Sequence, residues 1–196
     1  MKRETAVKTP YFLVDEERLV KNLELLKEIQ EETGCRILLA QKAFSGFFAY
    51  PLMRRYLAGT TASALRGKAW KGGVRRRDPC VLPAYREDEF EELLSYADHF
   101  VFNSPAQLRR YGEKAKQAGK SVGLRVNPEC STQEGHAIYD PCAPGSRLGT
   151  VKEQFDEALL PMLDGLHFHT LCEQNSDDLE TTAQPLRRSS AGIWDR

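Results

Sequence analysis

A lysine at the end of an apolar run is the residue of this chain best placed for chemistry. The run Ile37-Leu38-Leu39-Ala40-Gln41 has the composition of a buried strand, and Lys42 follows it directly. Such runs are typical of parallel sheets covered on both faces, whose strand ends carry the catalytic groups of α/β proteins. A lysine amine that is partly removed from water can condense with an aldehyde to a Schiff base. The alternative is a solvated lysine at the rim of a strand.

Two histidines at the end of a later strand are the second candidate. His167 and His169 alternate along the chain, so a strand would place both imidazoles on the same side. Together with Cys172 and Glu173 they could ligate a metal ion, as in a metal-dependent barrel hydrolase. The chain contains four histidines, and the other two form no second cluster in the sequence. The metal site is therefore the weaker hypothesis.

The segments that must position these residues alternate between strand and helix. Strand-like runs lie near residues 36–41, 60–64, 80–83, 99–102, 121–126 and 165–169, with a further short candidate at Tyr11–Val14. Alternation of this kind predicts a parallel sheet, and (β/α)8 barrels place functional groups at the carboxyl ends of different strands. A full barrel typically needs about 250 residues, so 196 residues predict an incomplete one. A doubly wound sheet is the alternative, but no G-x-G-x-x-G follows a strand.

Capping residues predict the limits of the most regular helices. Asp15 is a suitable N-cap for a helix that Gly34 would end, and Ser104 is a suitable N-cap for a helix that reaches about Gln117. Residues 127–150 show no periodicity, which in a compact domain indicates a functional or disordered loop. Further helices are predicted from Ser45 or Gly46 to Leu57, over 87–97 and over Val151–Leu163.

Composition limits the classes of partner. Lys and Arg together number 28, as do Asp and Glu, so the net charge is zero and we expect no nucleic-acid partner. The five cysteines are never spaced as C-x-x-C, which fits reduced thiols in a cytoplasmic protein. No run approaches the roughly 20 apolar residues of a membrane span, and the N-terminal residues show no apolar signal segment. We therefore expect no membrane association.

Several long strings of residues resemble one enzyme family, the carboxynorspermidine (carboxyspermidine) decarboxylases, from about Thr9 to Thr182. The similar strings are residues 37–44, 60–64, 103–105, 140–149 and 164–177. This family is one of the fold type III pyridoxal-phosphate enzymes. The resemblance implies an alanine-racemase-like (β/α)8 barrel followed by a β-domain, working as a homodimer. It also implies loss of CO₂ from carboxynorspermidine or carboxyspermidine to give norspermidine or spermidine.

The resemblance assigns roles to individual residues. Lys42 matches the lysine that forms the Schiff base with pyridoxal 5'-phosphate, and His169 matches the histidine that stacks on the cofactor ring. An imidazole face can hold such a ring in place. Four further residues are expected in the pocket: Ser63 and Arg147 near the cofactor, and Cys172 and Glu173 near the substrate, a small-molecule polyamine precursor.

The chain departs from the family in three places. Gln41 stands where the family usually has an apolar residue, and residues 65–82 lose the expected helix. After Thr182 the similarity ends, so we expect 1–182 to be the N-terminal part of the barrel and 183–196 to be a divergent, disordered tail. The remaining strands, the phosphate loop and the C-terminal β-domain are missing from the sequence given. We expect this chain to be inactive or impaired, and a non-catalytic pyridoxal-phosphate-binding barrel is the alternative function.

Overall fold

Parallel pairing of successive strands defines the fold. The computed structural model describes residues 8–61, 79–82, 84–135 and 137–189. β1 pairs with β2, and β3 to β6 pair in chain order in a second sheet, with every pairing parallel. The predicted α/β class with parallel strands is therefore confirmed. The strands are β1 (Leu38–Ala40), β2 (Gly59–Thr61), β3 (Pro79–Val81), β4 (His99–Phe102), β5 (Ser121–Arg125) and β6 (Gly165–His167).

The two sheets surround a common interior. β2 and β3 contact each other, although no hydrogen-bonded ladder joins them in the described ranges. A cavity of about 510 Å³ lies inside, lined among others by Leu38, Thr61, Val101 and His167. Over the part of the chain that the structure describes, β1 and β6 each have one edge without a strand partner. The described strands therefore form two parallel sheets that meet at β2 and β3 and both line this cavity.

The helices cover the outer face of the strands. The α-helices are α1 (Glu16–Thr33), α2 (Tyr50–Met53), α3 (Glu87–Leu94), α4 (Pro105–Gln117) and α5 (Ser176–Ser189). Short 3₁₀ helices lie at Phe47–Ala49, Ala137–Tyr139, Lys152–Gln154 and Glu157–Met162. None of the described helices is long and apolar enough to cross a bilayer.

The predicted caps of α1 and α4 are confirmed. The Asp15 carboxylate accepts a hydrogen bond from the Arg18 N–H at 3.1 Å, and Gly34 ends α1 in the left-handed conformation with φ of 71°. The Ser104 hydroxyl accepts a hydrogen bond from the Gln107 N–H at 3.3 Å. The Asp15 and Ser104 side chains pair with backbone N–H groups that the start of a helix leaves without a partner. Residue type alone therefore predicted the starts of α1 and α4 correctly.

Three predicted elements differ from the structure. Tyr11–Val14 forms no strand with any described segment, and its Phe12 side chain is fully exposed, so no apolar packing holds it against a neighbour. Val151–Leu163 is not one α-helix but two 3₁₀ helices, because Asp156 starts a second helix by accepting a hydrogen bond from the Ala158 N–H. The helix predicted up to Leu57 is a 3₁₀ turn followed by α2, which ends at Met53.

Two further predictions concern segments that the structure describes only in part. Residues 183–189, expected to be disordered, continue α5, whose N-terminal turn carries Asp177 and Asp178 where the helix dipole favours acidic groups. Residues 190–196 lie outside the described residues. The segment 65–82, where we expected the family helix to be lost, is described only from 79 onward.

Strand alternation separates the core from the interior cavity. Phe100 and Phe102 on β4 are fully buried against α3 and α4, whereas Val101 between them lines the cavity. Burial of such an aromatic side chain stabilises the fold by about 2 kcal/mol or more. A second apolar cluster joins α1 and α2 to β1 through Leu23, Leu39, Ala49, Tyr50, Met53 and Leu57.

Asn103, which follows β4, holds the long segment after β5 against the strand ends by hydrogen bonds. The Asn103 amide donates to the Arg147 carbonyl oxygen at 2.8 Å, and its side-chain oxygen accepts from the Gly149 N–H at 2.9 Å. Thr150 then pairs with Val126 as an isolated parallel bridge. Gly149 has φ of 86°, and a Cβ placed there would lie 2.9 Å from the Val126 carbonyl carbon. Only glycine therefore fits at this position.

We expect Gly149→Ala to lower the free energy of unfolding by about 3 kcal/mol, because it combines left-handed strain with a backbone clash. Gly145→Ala is the matched control, since Gly145 has φ of 80° but open space around its Cβ position. The control substitution should lower the free energy of unfolding by about 1 kcal/mol. Equilibrium urea unfolding measures both, and equal losses would contradict the close approach to Val126.

Candidate functional site

The turn after β1 presents Lys42 at the carboxyl edge of the sheets. The Ala43 and Phe44 N–H groups both donate to the Ala40 carbonyl oxygen, at 2.9 and 3.1 Å, which closes the turn. The Gln41 amide donates to the Thr60 hydroxyl at 3.2 Å and so ties this strand end to β2. This hydrogen bond explains how a polar residue is accommodated where the family has an apolar one. The Lys42 side chain is left exposed.

The end of β6 presents His167 and His169. Their ring centroids are 6.2 Å apart and their planes are inclined by 50°. The His167 carbonyl oxygen accepts a hydrogen bond from the Val126 N–H at 2.7 Å, which fixes this strand end against β5. His167 Nδ1 is buried and finds no hydrogen-bond partner in the described part of the chain, whereas His169 is exposed.

A buried arginine lies between the strands that carry these groups. Arg125 is the last residue of β5, pairs with His167 in the sheet register, and is only 8% exposed. Its Nη2 donates to the His169 carbonyl oxygen at 3.4 Å. Across the described residues no carboxylate lies within ion-pair distance of its guanidinium. Within the described part of the chain, the site therefore contains a buried positive charge without a carboxylate partner.

Burial, and to a smaller extent the neighbouring charges, lower the pKa of both histidines. Burial, followed by the charges of Arg125 and His169, lowers the pKa of His167 to about 4. Burial, then the charge of Arg125 and then that of Lys42, lowers the pKa of His169. The effect of Lys42 on His169 shows that β1 and β6 bring these two side chains into electrostatic range. The charges of the site that act on the histidines are thus those of Arg125 and Lys42.

Sequence reasoning did not find Arg125, although a signal was present. Leu124-Arg125-Val126 places a cation inside an apolar strand, the same pattern that drew attention to Lys42. Parallel strands bring their carboxyl ends to one edge, so two such interruptions on different strands predict a shared cationic site.

The other predicted residues lie on loops at this edge or outside the described residues. Arg147 is exposed, and its backbone carbonyl is fastened to Asn103 at the end of β4. Cys172 and Glu173 are exposed in the turn between β6 and α5, where Glu173 adopts φ of 58°. Ser63 lies outside the described residues.

The structure offers little support for the metal hypothesis. No group of three or more His, Cys, Asp or Glu residues suited to a metal ion occurs in the described ranges. His167 and His169 face a neighbouring guanidinium, whose charge opposes the binding of a cation.

We expect Arg125→Met to raise the pKa of His167 from about 4, because a neutral side chain no longer opposes protonation of the ring. The value should stay below the ordinary 6.5, since burial is the larger cause and remains. Lys42→Met is the control and should raise the pKa of His169 alone. NMR titration of the ring protons measures both, and an unchanged His167 in Arg125→Met would show that the guanidinium does not act on that ring.

Comparison with known proteins supports the same family that the residues indicated. The chain is 38% identical over 189 residues to the carboxynorspermidine/carboxyspermidine decarboxylase of Campylobacter jejuni. It is 33% identical to the carboxyaminopropylagmatine decarboxylase of Synechocystis and 33% identical to the carboxynorspermidine/carboxyspermidine decarboxylase of Herminiimonas arsenicoxydans. These matches cover 96%, 95% and 85% of this chain. No protein-family profile matches the chain.

Solved structures give the same result for the fold. The crystal structure of carboxynorspermidine decarboxylase from Campylobacter jejuni, complexed with norspermidine, superimposes with a TM-score of 0.81 at 35% identity and covers 95% of this chain. A diaminopimelate decarboxylase superimposes with a TM-score of 0.64 at 16% identity over 90% of this chain, which shows a likeness of fold alone. The chain spans about half the length of these proteins, 48% of the first relative and 47% of the first structure. The resemblance predicted from the sequence is therefore confirmed: over nearly all of its residues, this chain is similar in sequence and fold to the carboxynorspermidine/carboxyspermidine decarboxylases.

Proposed function

We propose that the chain serves the pyridoxal-phosphate-dependent decarboxylation of carboxynorspermidine or carboxyspermidine, which yields norspermidine or spermidine. The observation that carries the proposal is the convergence of Lys42, Arg125 and His169 at one edge of the sheets, in a chain 38% identical to a decarboxylase of that name. The norspermidine bound to the related structure from Campylobacter jejuni supports a polyamine ligand for this chain as well.

The residues present fit the chemical features of pyridoxal 5'-phosphate. The exposed Lys42 amine would hold the aldehyde carbon covalently, and the exposed His169 ring would lie against the pyridine ring. The buried Arg125 guanidinium, which lacks a carboxylate partner among the described residues, would attract the anionic oxygens. Ser63 and Arg147 are proposed to complete this pocket, and Cys172 and Glu173 to face the substrate.

The protein's part in the reaction is to bind the cofactor and the substrate, to orient them and to exclude water. When bound, pyridoxal phosphate supplies an aromatic ring that accepts the electron pair left behind by CO₂. The residues of the pocket would have to hold the departing carboxylate in one fixed orientation, because positioning of the reacting groups supplies a large part of the rate. His169 would fix the plane of the ring, and the neutral His167 adds no charge that would compete with Lys42 or Arg125.

The substrate class extends to related amino acids. The Synechocystis relative is a carboxyaminopropylagmatine decarboxylase, and its 33% identity spans 95% of this chain. That compound is therefore a second candidate substrate beside the two carboxypolyamines. The same proposal includes a homodimer, because the resemblance implies an active site completed across two subunits. It also includes a location in the cytoplasm.

We expect borohydride reduction of the chain with excess pyridoxal phosphate to attach the cofactor covalently to Lys42. Lys42→Ala should lose the label, because it removes the amine that follows β1 at this edge. Lys21→Ala, which removes an exposed lysine of α1, should keep it. Peptide mapping locates the label, and modification of another lysine would overturn the assignment of Lys42.

We expect the 196 residues alone to release no measurable CO₂ from carboxynorspermidine, carboxyspermidine or carboxyaminopropylagmatine. The reason is that the relatives carry about as many residues again, and these would hold the cofactor phosphate and complete the substrate pocket. The Campylobacter jejuni enzyme is the positive control for the assay. Zinc content is measured on the same samples.

The outcomes separate the three functional hypotheses. A Lys42 label without CO₂ release supports either an impaired decarboxylase or the non-catalytic cofactor-binding barrel. Release of CO₂ that depends on Lys42 would establish the enzyme and contradict the expected impairment. Stoichiometric zinc with no Lys42 label would overturn the proposed function in favour of the metal-dependent hydrolase.

A further inference from the structure

The buried side chain of Asn103 holds one short stretch of the long segment at two points. Its Nδ2 donates to the Arg147 carbonyl oxygen at 2.8 Å, and its Oδ1 accepts from the Gly149 N–H at 2.9 Å. Asn103 is 9% exposed, so both hydrogen bonds are largely shielded from water. An amide side chain offers a donor and an acceptor at once, which neither a carboxylate nor an ammonium group does. Asn103 therefore fixes the backbone on both sides of Leu148.

The other hydrogen bonds of this stretch are local. The Ser146 N–H donates to the Ala143 carbonyl oxygen at 2.9 Å, and the Leu148 N–H donates to the Ser146 hydroxyl at 3.2 Å. These bonds shape the turn, but they do not attach it to the sheet. Among the described residues, the hydrogen bonds that tie residues 145–149 to a strand end are those of Asn103.

The residue that follows this stretch joins it to the end of β5. The Thr150 N–H donates to the Arg125 carbonyl oxygen at 2.8 Å, and the Thr150 carbonyl oxygen accepts from the Asn127 N–H at 2.8 Å. The Thr150 hydroxyl donates to the Asn103 carbonyl oxygen at 3.4 Å. The ends of β4 and β5 therefore hold consecutive residues of the segment, and Arg147 is carried at the same edge as Arg125.

We propose that Asn103 is a positioning residue for the cofactor, because it holds Arg147 where its guanidinium contacts an anionic oxygen of pyridoxal phosphate. The inference rests on the proposed function, in which Arg147 belongs to the cofactor pocket. Arg147 is exposed and forms no ion pair among the described residues, so its guanidinium is available to a ligand. A backbone that is already fixed removes part of the ordering cost that a flexible arginine pays on binding an anion.

The test is a double-mutant cycle on cofactor binding by the 196-residue chain. The readout is the concentration of pyridoxal phosphate that gives half-maximal borohydride labelling of Lys42. We expect Arg147→Ala to raise this concentration about tenfold, because one charge-assisted hydrogen bond to the cofactor is lost. Asn103→Ala should also raise it about tenfold, and the double variant should be no worse than Arg147→Ala. Independent effects would instead multiply to about a hundredfold.

Tyr85→Phe is the matched control for a loss of stability alone. Tyr85 is also buried, at 7% exposed, and its hydroxyl donates to the Val101 carbonyl oxygen of β4 at 2.9 Å. The control removes a buried hydrogen bond to the same strand and leaves both side-chain bonds of Asn103 in place. It should lower the urea midpoint as Asn103→Ala does, but keep the half-maximal concentration within about twofold. Asn103→Ser, which retains a short hydroxyl group, replaces Asn103→Ala if the alanine variant does not fold.

The contrary outcomes separate this inference from the proposed function. If Asn103→Ala weakens labelling equally with and without Arg147, Asn103 acts only on the fold, and the inference is overturned. If Arg147→Ala leaves the half-maximal concentration unchanged while Lys42 is still labelled, the inference is overturned and the proposed function stands. If the unsubstituted chain shows no label on Lys42 at any concentration of pyridoxal phosphate, the proposed function is overturned and the inference with it.

Discussion

The parallel direction of all paired strands is the constraint on which the candidate site depends. Parallel strands bring their carboxyl ends to one edge, so residues far apart in the sequence, such as Lys42 after β1 and His169 after β6, come into electrostatic range. The hydrogen bonds of Gln41 to Thr60 and of Val126 to His167 fix these strand ends to their neighbours. The site is thus held by the sheets, and its loops only complete it.

The balance of charge at this edge indicates the kind of ligand that it suits. A guanidinium that is 8% exposed and has no carboxylate partner in the described ranges is costly to bury unless an anion compensates it. Burial first, and the same positive charge second, lower the pKa of His167 and of His169. An anionic, aromatic ligand with a reactive carbonyl fits this combination better than a metal cation does.

Local signals in the sequence predicted those elements whose ends are set by their own residues. Asp15, Gly34 and Ser104 act through hydrogen bonds or backbone conformations within a few positions, so the limits of α1 and the start of α4 followed from residue type. The segment Val151–Leu163 has a helical pattern of apolar residues, but the cap at Asp156 divides it. Arg125 interrupts an apolar strand as Lys42 does, but its position beside His167 and His169 follows only from the pairing of β5 with β6 in the fold. The predicted role of Ser63 stays a prediction.

The proposed function requires an aromatic cofactor to bind against His169 at one edge of the sheets and not at the opposite edge. His169 follows β6 at the carboxyl edge, whereas His99 begins β4 at the other edge, so the chain contains its own control. The most direct measurement is the NMR shift of the histidine ring protons during titration with pyridoxal phosphate. A cofactor bound at the carboxyl edge should give a ring-current shift at His169 and none at His99. A shift at His99, or an unchanged His169 at saturating cofactor, would contradict it.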